Sequence, residues 1–380
     1  MRAIAQRRTT ALGFALLVAM LLACGGGTAA PASKPASGGA PASKPAAATA
    51  PAAAKPAEAA VAPTSVQVRK LTLGVPVTPP NMVHLPPYVA HEQGFFRDVG
   101  LDVEFKNFEG GVQSLRGSIA GGLDVAGTSA DPIIAATARR AGVKVIGTYA
   151  PRLSVVMVTQ EDVRTPADLR GRKIGIQEVG GFNEVMSRAV LANVNMGPND
   201  VQYVTVTTAG RVPGLVSKQI DAAILHIDQY YRAIDQNPSF NVVSKLWEVL
   251  PQWWYSGYMV TEDQIRQDRQ RLVDFETAIV RAGRFMYENR DRTIEIGIQH
   301  TNQPRDAVER AYNDLATGGI WAVNDGVPRD MIEYTLGKQV ELGLIEAGVK
   351  PTYEQMVERS IPEEAVRRNG GPWTGDPRWY

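Results

Sequence analysis

Two successive runs of short apolar strand and helix constrain this chain more than any other feature. In the first run, Lys70–Val75, Leu101–Phe105, Asp124–Gly127, Val143–Thr148 and Ser154–Val158 read as strands, with helices predicted at Tyr88–Phe95, Val112–Ala120 and Pro132–Arg140. Asp131 is a candidate cap for the last of these, which has Pro132 at its first position. The second run has strands at Lys173–Gln177, Val201–Val206 and Ala222–Leu225, with helices at Asn183–Val194 and Val212–Lys218. Tyr258–Val260 then heads back as a strand. Gln267–Asn289, Arg292–Gln299, Pro304–Leu315 and Arg329–Leu342 are mainly helical. Strands alternating with helices of about ten residues predict an α/β fold of mostly parallel sheets flanked by helices. Two such sets predict a two-lobed clamshell. Lobe one takes residues 65–158 and 255–362, lobe two takes 159–254, and 363–380 form a C-terminal tail. The chain would hinge near Val158–Thr159 and Trp254–Ser256, and the ligand would lie between the lobes, beyond the carboxyl ends of the strands.

The first 64 residues belong to neither lobe. Arg2, Arg7 and Arg8 precede an apolar run, Ala11–Leu22, too short for a spanning helix of about 20 residues. Leu21-Leu22-Ala23-Cys24 is similar to a bacterial lipobox, which implies removal of a signal peptide at residues 1–23 and lipid attachment at Cys24. Residues 24–64 are almost entirely Ala, Pro, Gly, Ser and Lys and can bury no core. They read as a tether, with a reach of ~120 Å if fully extended at ~3.1 Å per residue. The expected location is the outer face of the cell membrane. Cys24 is the one cysteine of the 380 residues, so no intramolecular disulfide forms. The net charge of +1, without a basic stripe, argues against a nucleic-acid partner.

Four motifs carry a family resemblance. They are Leu85 to Phe96 with Gly100-Leu101-Asp102-Val103-Glu104, Ala120 to Ala126, Thr165 to Gly175, and Lys218 to Ala223. In order, they resemble the NMT1/THI5-like substrate-binding proteins of sulfonate and taurine type. The resemblance implies an importer-binding protein for sulfonates, taurine, nitrate, thiamine pyrimidine precursors or riboflavin, with an ABC permease and ATPase as partners. The same family name covers fungal pyrimidine synthases, which carry a cysteine-rich motif that this chain lacks. His91-Glu92 is followed by Phe95 where a zincin has its second histidine, and neither a nucleophile elbow nor a P-loop occurs. No enzyme activity, metal or cofactor is expected.

The predicted strand-end loops hold four acids, Glu109, Asp131, Glu178 and Asp228, and no lysine or arginine. That composition disfavours an anion unless Arg152 or Arg211 swings in. Tyr230, Tyr231, Trp247, Trp253, Trp254, Tyr255 and Tyr258 crowd the return crossing, and Phe182 lies in a lobe-two loop. Rings of this kind suit a planar solute. The candidate binding residues are Asn81, Asp131, Phe182, Asn183, Asp228, Trp254 and Tyr255. With the resemblance to riboflavin-binding lipoproteins, they make riboflavin the expected ligand and Trp254 or Tyr255 the stacking ring. Because the tether isolates Cys24 from any core, Cys24→Ala should leave the membrane fraction in a high-salt wash while its circular dichroism stays that of the parent.

Overall fold

The computed structural model describes residues 68–374. The signal segment, Cys24, the tether and the end of the tail lie outside the described residues. From the start, the chain forms β1 (Arg69–Val75), α1 (Pro86–Glu92), α2 (Phe95–Asp98), β2 (Leu101–Asn107), α3 (Gly111–Ile119), β3 (Val125–Ser129), α4 (Ala130–Ala138) and β4 (Val143–Gly147). Next come β5 (Val155–Thr159), β6 (Lys173–Ile176), α5 (Phe182–Ala192), β7 (Gln202–Thr205), α6 (Arg211–Val216), β8 (Ala222–His226), α7 (Ile227–Gln236), β9 (Asn241–Lys245) and α8 (Leu246–Val249). β10 (Ser256–Thr261) leads into α9 (Glu262–Glu288), α10 (Arg290–Thr301), α11 (Arg305–Thr317), α12 (Arg329–Glu341), α13 (Tyr353–Met356) and α14 (Ser360–Arg368).

The strands form two five-stranded sheets, ordered β2-β1-β3-β10-β4 and β7-β6-β8-β5-β9. Three strands of each sheet run parallel, β2-β1-β3 and β7-β6-β8. β10 is antiparallel to both its neighbours, and so is β5. The central strands β3, Val-Ala-Gly-Thr-Ser, and β8, Ala-Ala-Ile-Leu-His, are buried along their whole length, as strands covered on both faces must be. Edge strand β2 begins with strict alternation of buried and exposed residues.

One aspartate braces each sheet. Asp124 accepts from the Thr72 N–H at 2.7 Å and from Arg271 at 2.8 Å. Asp221 holds the corresponding place in lobe two, accepting from the Lys173 N–H at 2.8 Å. Asp124 therefore fixes the loop rather than touching a ligand. Gly94, in the left-handed region at φ 77°, ends the turn after α1 as a helix-terminating glycine does.

Three expectations are corrected. β5 pairs within the second sheet, so the first crossing runs through residues 148–154, ahead of the boundary placed at Val158–Thr159. The return crossing occupies 250–255. The tail does not begin at residue 363, because α14 continues to Arg368 and buries Ala365 and Val366 against Val280 of α9. Asp131 does not cap its helix: α4 starts at Ala130, Ser129 stands at the cap position and Asp131 lies in the first turn.

Trp254 belongs to the lobe-one core. It is fully buried among Ile133, Val145, Met259 and Leu336. Its backbone N–H donates to the Thr335 hydroxyl at 2.7 Å and its indole N–H to the Gly326 carbonyl at 3.1 Å. Its ring lies 2.8 Å from where a Cβ on Gly257 would stand, so the strand must carry a glycine there. Trp254→Ala should lower unfolding stability by roughly 3–5 kcal/mol, as deletion of a buried indole does, measured by urea denaturation. A loss under 1 kcal/mol would show that the ring is not the core element described.

Candidate functional site

The two lobes meet at the carboxyl ends of their parallel strands. Lobe one brings Asn81 and His84 after β1, Glu109-Gly110-Gly111 after β2, and Thr128 to Asp131 at the end of β3. Lobe two brings Glu178, Phe182 and Asn183 after β6, Thr208 and Arg211 after β7, and His226 and Asp228 at the end of β8. Tyr149 and Tyr255 enter from the two crossings. Backbone direction alone thus gathers residues distant in sequence into one cleft.

Tyr255 stands at its centre. Its hydroxyl lies 3.3 Å from His84 Nε2, and its ring centroid is 4.7 Å from Phe182 and 5.9 Å from Tyr149. Phe182 stacks on His226 with planes 14° apart and centroids at 6.1 Å. His84 of lobe one meets His226 of lobe two edge-on at 5.3 Å. Burial drives both imidazoles neutral. Desolvation, then the charge of Arg211, pushes His84 down to about 3. His226 is held well below its usual value by desolvation, then by His84 and Arg211.

The polar groups form a ring around these aromatics. Asn81 Nδ2 donates across the cleft to Asp228 Oδ2 at 3.3 Å, and the Met82 N–H donates to the same oxygen at 3.4 Å. Asn183 Nδ2 and Arg211 Nη1 converge on one carbonyl, that of Ile224, at 3.1 and 2.7 Å. Asn81 Oδ1, Asn183 Oδ1 and Asp228 Oδ1 remain as spare acceptors, and Arg211 Nε and Nη2 as spare donors. Arg211 is fully buried, and desolvation lowers its guanidinium to about 10, so it keeps its proton at neutral pH. Burial raises Asp228 to about 6, offset in part by Asn81, its own N–H and those of Met82 and Gln229. Burial likewise raises Asp131 to about 7, against Ser129, its own N–H and Gln339. Gln339 Nε2 donates to Asp131 Oδ1 at 2.7 Å, which ties this carboxyl into lobe one.

Of the candidates read from sequence, Asn81, Phe182, Asn183, Asp228 and Tyr255 come together here. Asp131 sits on the lobe-one side, held by Gln339. Trp254 does not reach the cleft. Trp253 and Tyr258 are buried in the core as well; of the rings read from sequence, Tyr255 and Phe182 come together in the cleft, and Tyr149 joins them. His84, His226 and Tyr149 were missing from the candidates, and Arg211 was named only as a cation that could swing in. The histidines lie in the very loops considered, but a search for metal spacing passes over a stacking histidine. Arg211, one of the two cations weighed against the four acids, is the first residue of α6, one position beyond a glycine. Among the described residues no cluster of three or more His, Cys, Asp or Glu could hold a metal ion. Nor is any described helix long and apolar enough to cross a membrane.

Two α/β lobes joined by two crossings, with the polar and aromatic groups meeting at strand ends, define the periplasmic-binding-protein class of fold. The chain belongs to the NMT1/THI5-like family, whose model matches residues 81–293, more than half of its length. A Brucella abortus protein described as a binding protein is 30% identical over 135 residues, covering 36% of this chain and 41% of that protein. The chain thus spans about two fifths of that relative's length. A Bordetella bronchiseptica structure superposes with a TM-score of 0.70 at 19% identity, over 80% of this chain and 98% of its own. The alkanesulfonate-binding protein of Xanthomonas axonopodis pv. citri, bound to MOPS, gives 0.61 at 17% identity, over 76% and 96%.

The raised Asp228 pKa has a definite sign. Its native carboxyl keeps a proton between the unfolded value of 3.8 and about 6, so its contribution to stability is full below 3.8 and lost as pH rises through 6. The depressed histidines act in the opposite sense, withdrawing stability as pH falls below 6.5. Asp228→Asn removes one side of this balance. Relative to the parent, it should lose stability on acidification from pH 6 to pH 4, by up to about 1.4 kcal/mol per pH unit, in thermal melts across that range.

Proposed function

We propose that the chain is the solute-binding component of an ABC-type importer, held outside the cytoplasm by the lipid on Cys24, which closes its lobes on a small flat solute carrying an acidic oxygen group and an N–H or O–H donor. The permease and ATPase would be its partners. One observation carries this reading: a guanidinium, Arg211, completely buried between the lobes with two donor nitrogens unspent. A buried charged donor without a partner is costly, and an oxyanion accepting two parallel N–H bonds is the complement of the fork. The nearby acids Asp228 and Glu109 favour its charge, but neither hydrogen-bonds to it. Glu109 accepts the Thr208 N–H at 3.2 Å, and Asp228 accepts from Asn81 and Met82. The spare oxygens of Asn81, Asn183 and Asp228 would take the solute's donor hydrogens, and Tyr255 and Phe182 would face its flat body. The sulfonate bound by the Xanthomonas relative agrees in chemistry.

A second reading is favoured by the same spare acceptors. A neutral aminopyrimidine of the thiamine-precursor kind would use Asn81, Asn183, Asp228 and the two rings without needing Arg211. Riboflavin loses Trp254 to the core and would have to stack on Tyr255 or Phe182.

A calorimetric panel of taurine, an alkanesulfonate, nitrate, 4-aminobenzoate, a hydroxymethylpyrimidine and riboflavin separates these readings. An acid-bearing solute should bind, and Arg211→Gln should weaken it by about 1.5–3 kcal/mol, roughly ten- to a hundredfold. Tight pyrimidine binding that Arg211→Gln leaves unchanged would establish the second reading instead.

A further inference from the structure

We infer that Glu178 is a positioning residue for solute capture, a carboxylate carried by lobe two that docks on the N-terminus of α3 in lobe one and sets how firmly the cleft stays shut. This rests on the solute-capture reading, and its test requires no solute.

The contact is specific at both ends. Glu178 Oε1 accepts from the Val112 N–H, one residue into α3, at 2.8 Å. Burial raises the Glu178 carboxyl above its usual value, offset in part by the Val112 and Gln113 N–H groups and the charge of Arg116. The first N–H groups of a helix have no partner within the helix, and they sit at the positive end of its dipole. An acid supplied from the opposite lobe satisfies them only when the lobes are together. The room for it is built in. A methyl group on Gly110 would collide with the Glu178 carboxylate, and one on Gly111 would collide with the buried Thr128 hydroxyl. The pair Gly110-Gly111 is therefore a seat cut to the width of an incoming side chain on one flank and of Thr128 on the other.

The exchange runs in both directions. Glu109, adjacent to that seat in lobe one, accepts the Thr208 N–H of lobe two at 3.2 Å. Each lobe thus offers a carboxylate to backbone N–H groups of the other, at sites beside rather than within the aromatic cage around Tyr255. Neither acid is paired with a basic side chain among the hydrogen bonds and ion pairs found for it. A role in folding one lobe alone does not account for this placement, because every partner described here lies across the cleft. Charge-assisted bonds at a helix N-terminus are of a size to shift a closed-to-open ratio roughly three- to thirtyfold.

The test measures lobe separation in the full chain carrying Cys24→Ser, so that labels are unique. Ile119 at the end of α3 and Val216 at the end of α6 are exposed and lie in opposite lobes, so Ile119→Cys and Val216→Cys accept spin labels for pulsed dipolar distance measurement without solute. Glu178→Ala should move population from the short to the long distance, lowering their ratio at least threefold. Glu178→Gln, which keeps the shape and loses the charge, should give an intermediate ratio. Gly110→Ala, which leaves the acid intact and fills its seat, should reproduce Glu178→Ala. A ratio unchanged in Glu178→Ala overturns the inference whatever solute the cleft takes, and so does a Gly110→Ala variant that stays as closed as the parent.

Discussion

The carbonyl oxygen of Ile224 fixes the chemistry of the cleft. It lies in β8, the central strand of lobe two, and accepts from both Asn183 and Arg211. A guanidinium with no solvent access needs an anchor, and a backbone carbonyl in the middle of a sheet is among the least movable acceptors a protein has. With one nitrogen committed there, the remaining donors of Arg211 acquire a fixed direction. Burial, and after it this charge, depresses His84 and His226, which stay neutral and meet edge-on instead of repelling one another across the lobes. The neutral histidines let Phe182 and Tyr255 close around them, and Tyr255 is brought to its place by the return crossing. Remove that anchor and each later contact loses its reason.

The parts of this arrangement legible in the sequence were those governed by periodicity. Strand and helix alternation identified both lobes, and the Gly-x-Leu-Asp and Gln-Ile-Asp-Ala segments located the strand that each bracing aspartate precedes. Loop position at strand ends brought Asn81, Phe182, Asn183 and Asp228 forward, because the chain direction in a parallel sheet dictates where loops gather. What stayed hidden was pairing. Nothing in Val155–Thr159 reveals that it runs antiparallel in the second sheet, since a buried apolar strand reads alike in either lobe. Nothing in Trp253-Trp254-Tyr255 shows which ring faces the cleft. Adjacent residues entering a strand point to opposite faces, and the choice depended on Gly257 admitting Trp254 to the core. Arg211 was weighed as a counter-charge but not placed among the binding residues, because an arginine opening a helix ordinarily faces water.

Burial explains why acids and bases coexist here without cancelling. Asp131 and Asp228 have raised pKa values, and the two histidines lowered ones, so each group leans toward its neutral form. Arg211 keeps its charge at neutral pH, and Asp228, at about 6, is still largely ionised there. Four carboxylates in nearby loops, read as a negative field, become a set of hydrogen-bonding groups once their partners are known.

The position of β10 bears on how the molecule is assembled. Lobe two draws its five strands from the continuous stretch of residues 155–245, whereas among the described strands β4 of lobe one pairs with β10 alone and awaits a segment made more than a hundred residues later. A chain that emerges from its N-terminus can complete the second sheet first, while β3 and β4 stay unjoined with open edges. Lobe one is then sealed by the arrival of β10, bringing Tyr255 in with it. The last strand to dock in the first sheet is thus also the one that finishes the cleft, so a newly made chain has no complete site until both halves are built.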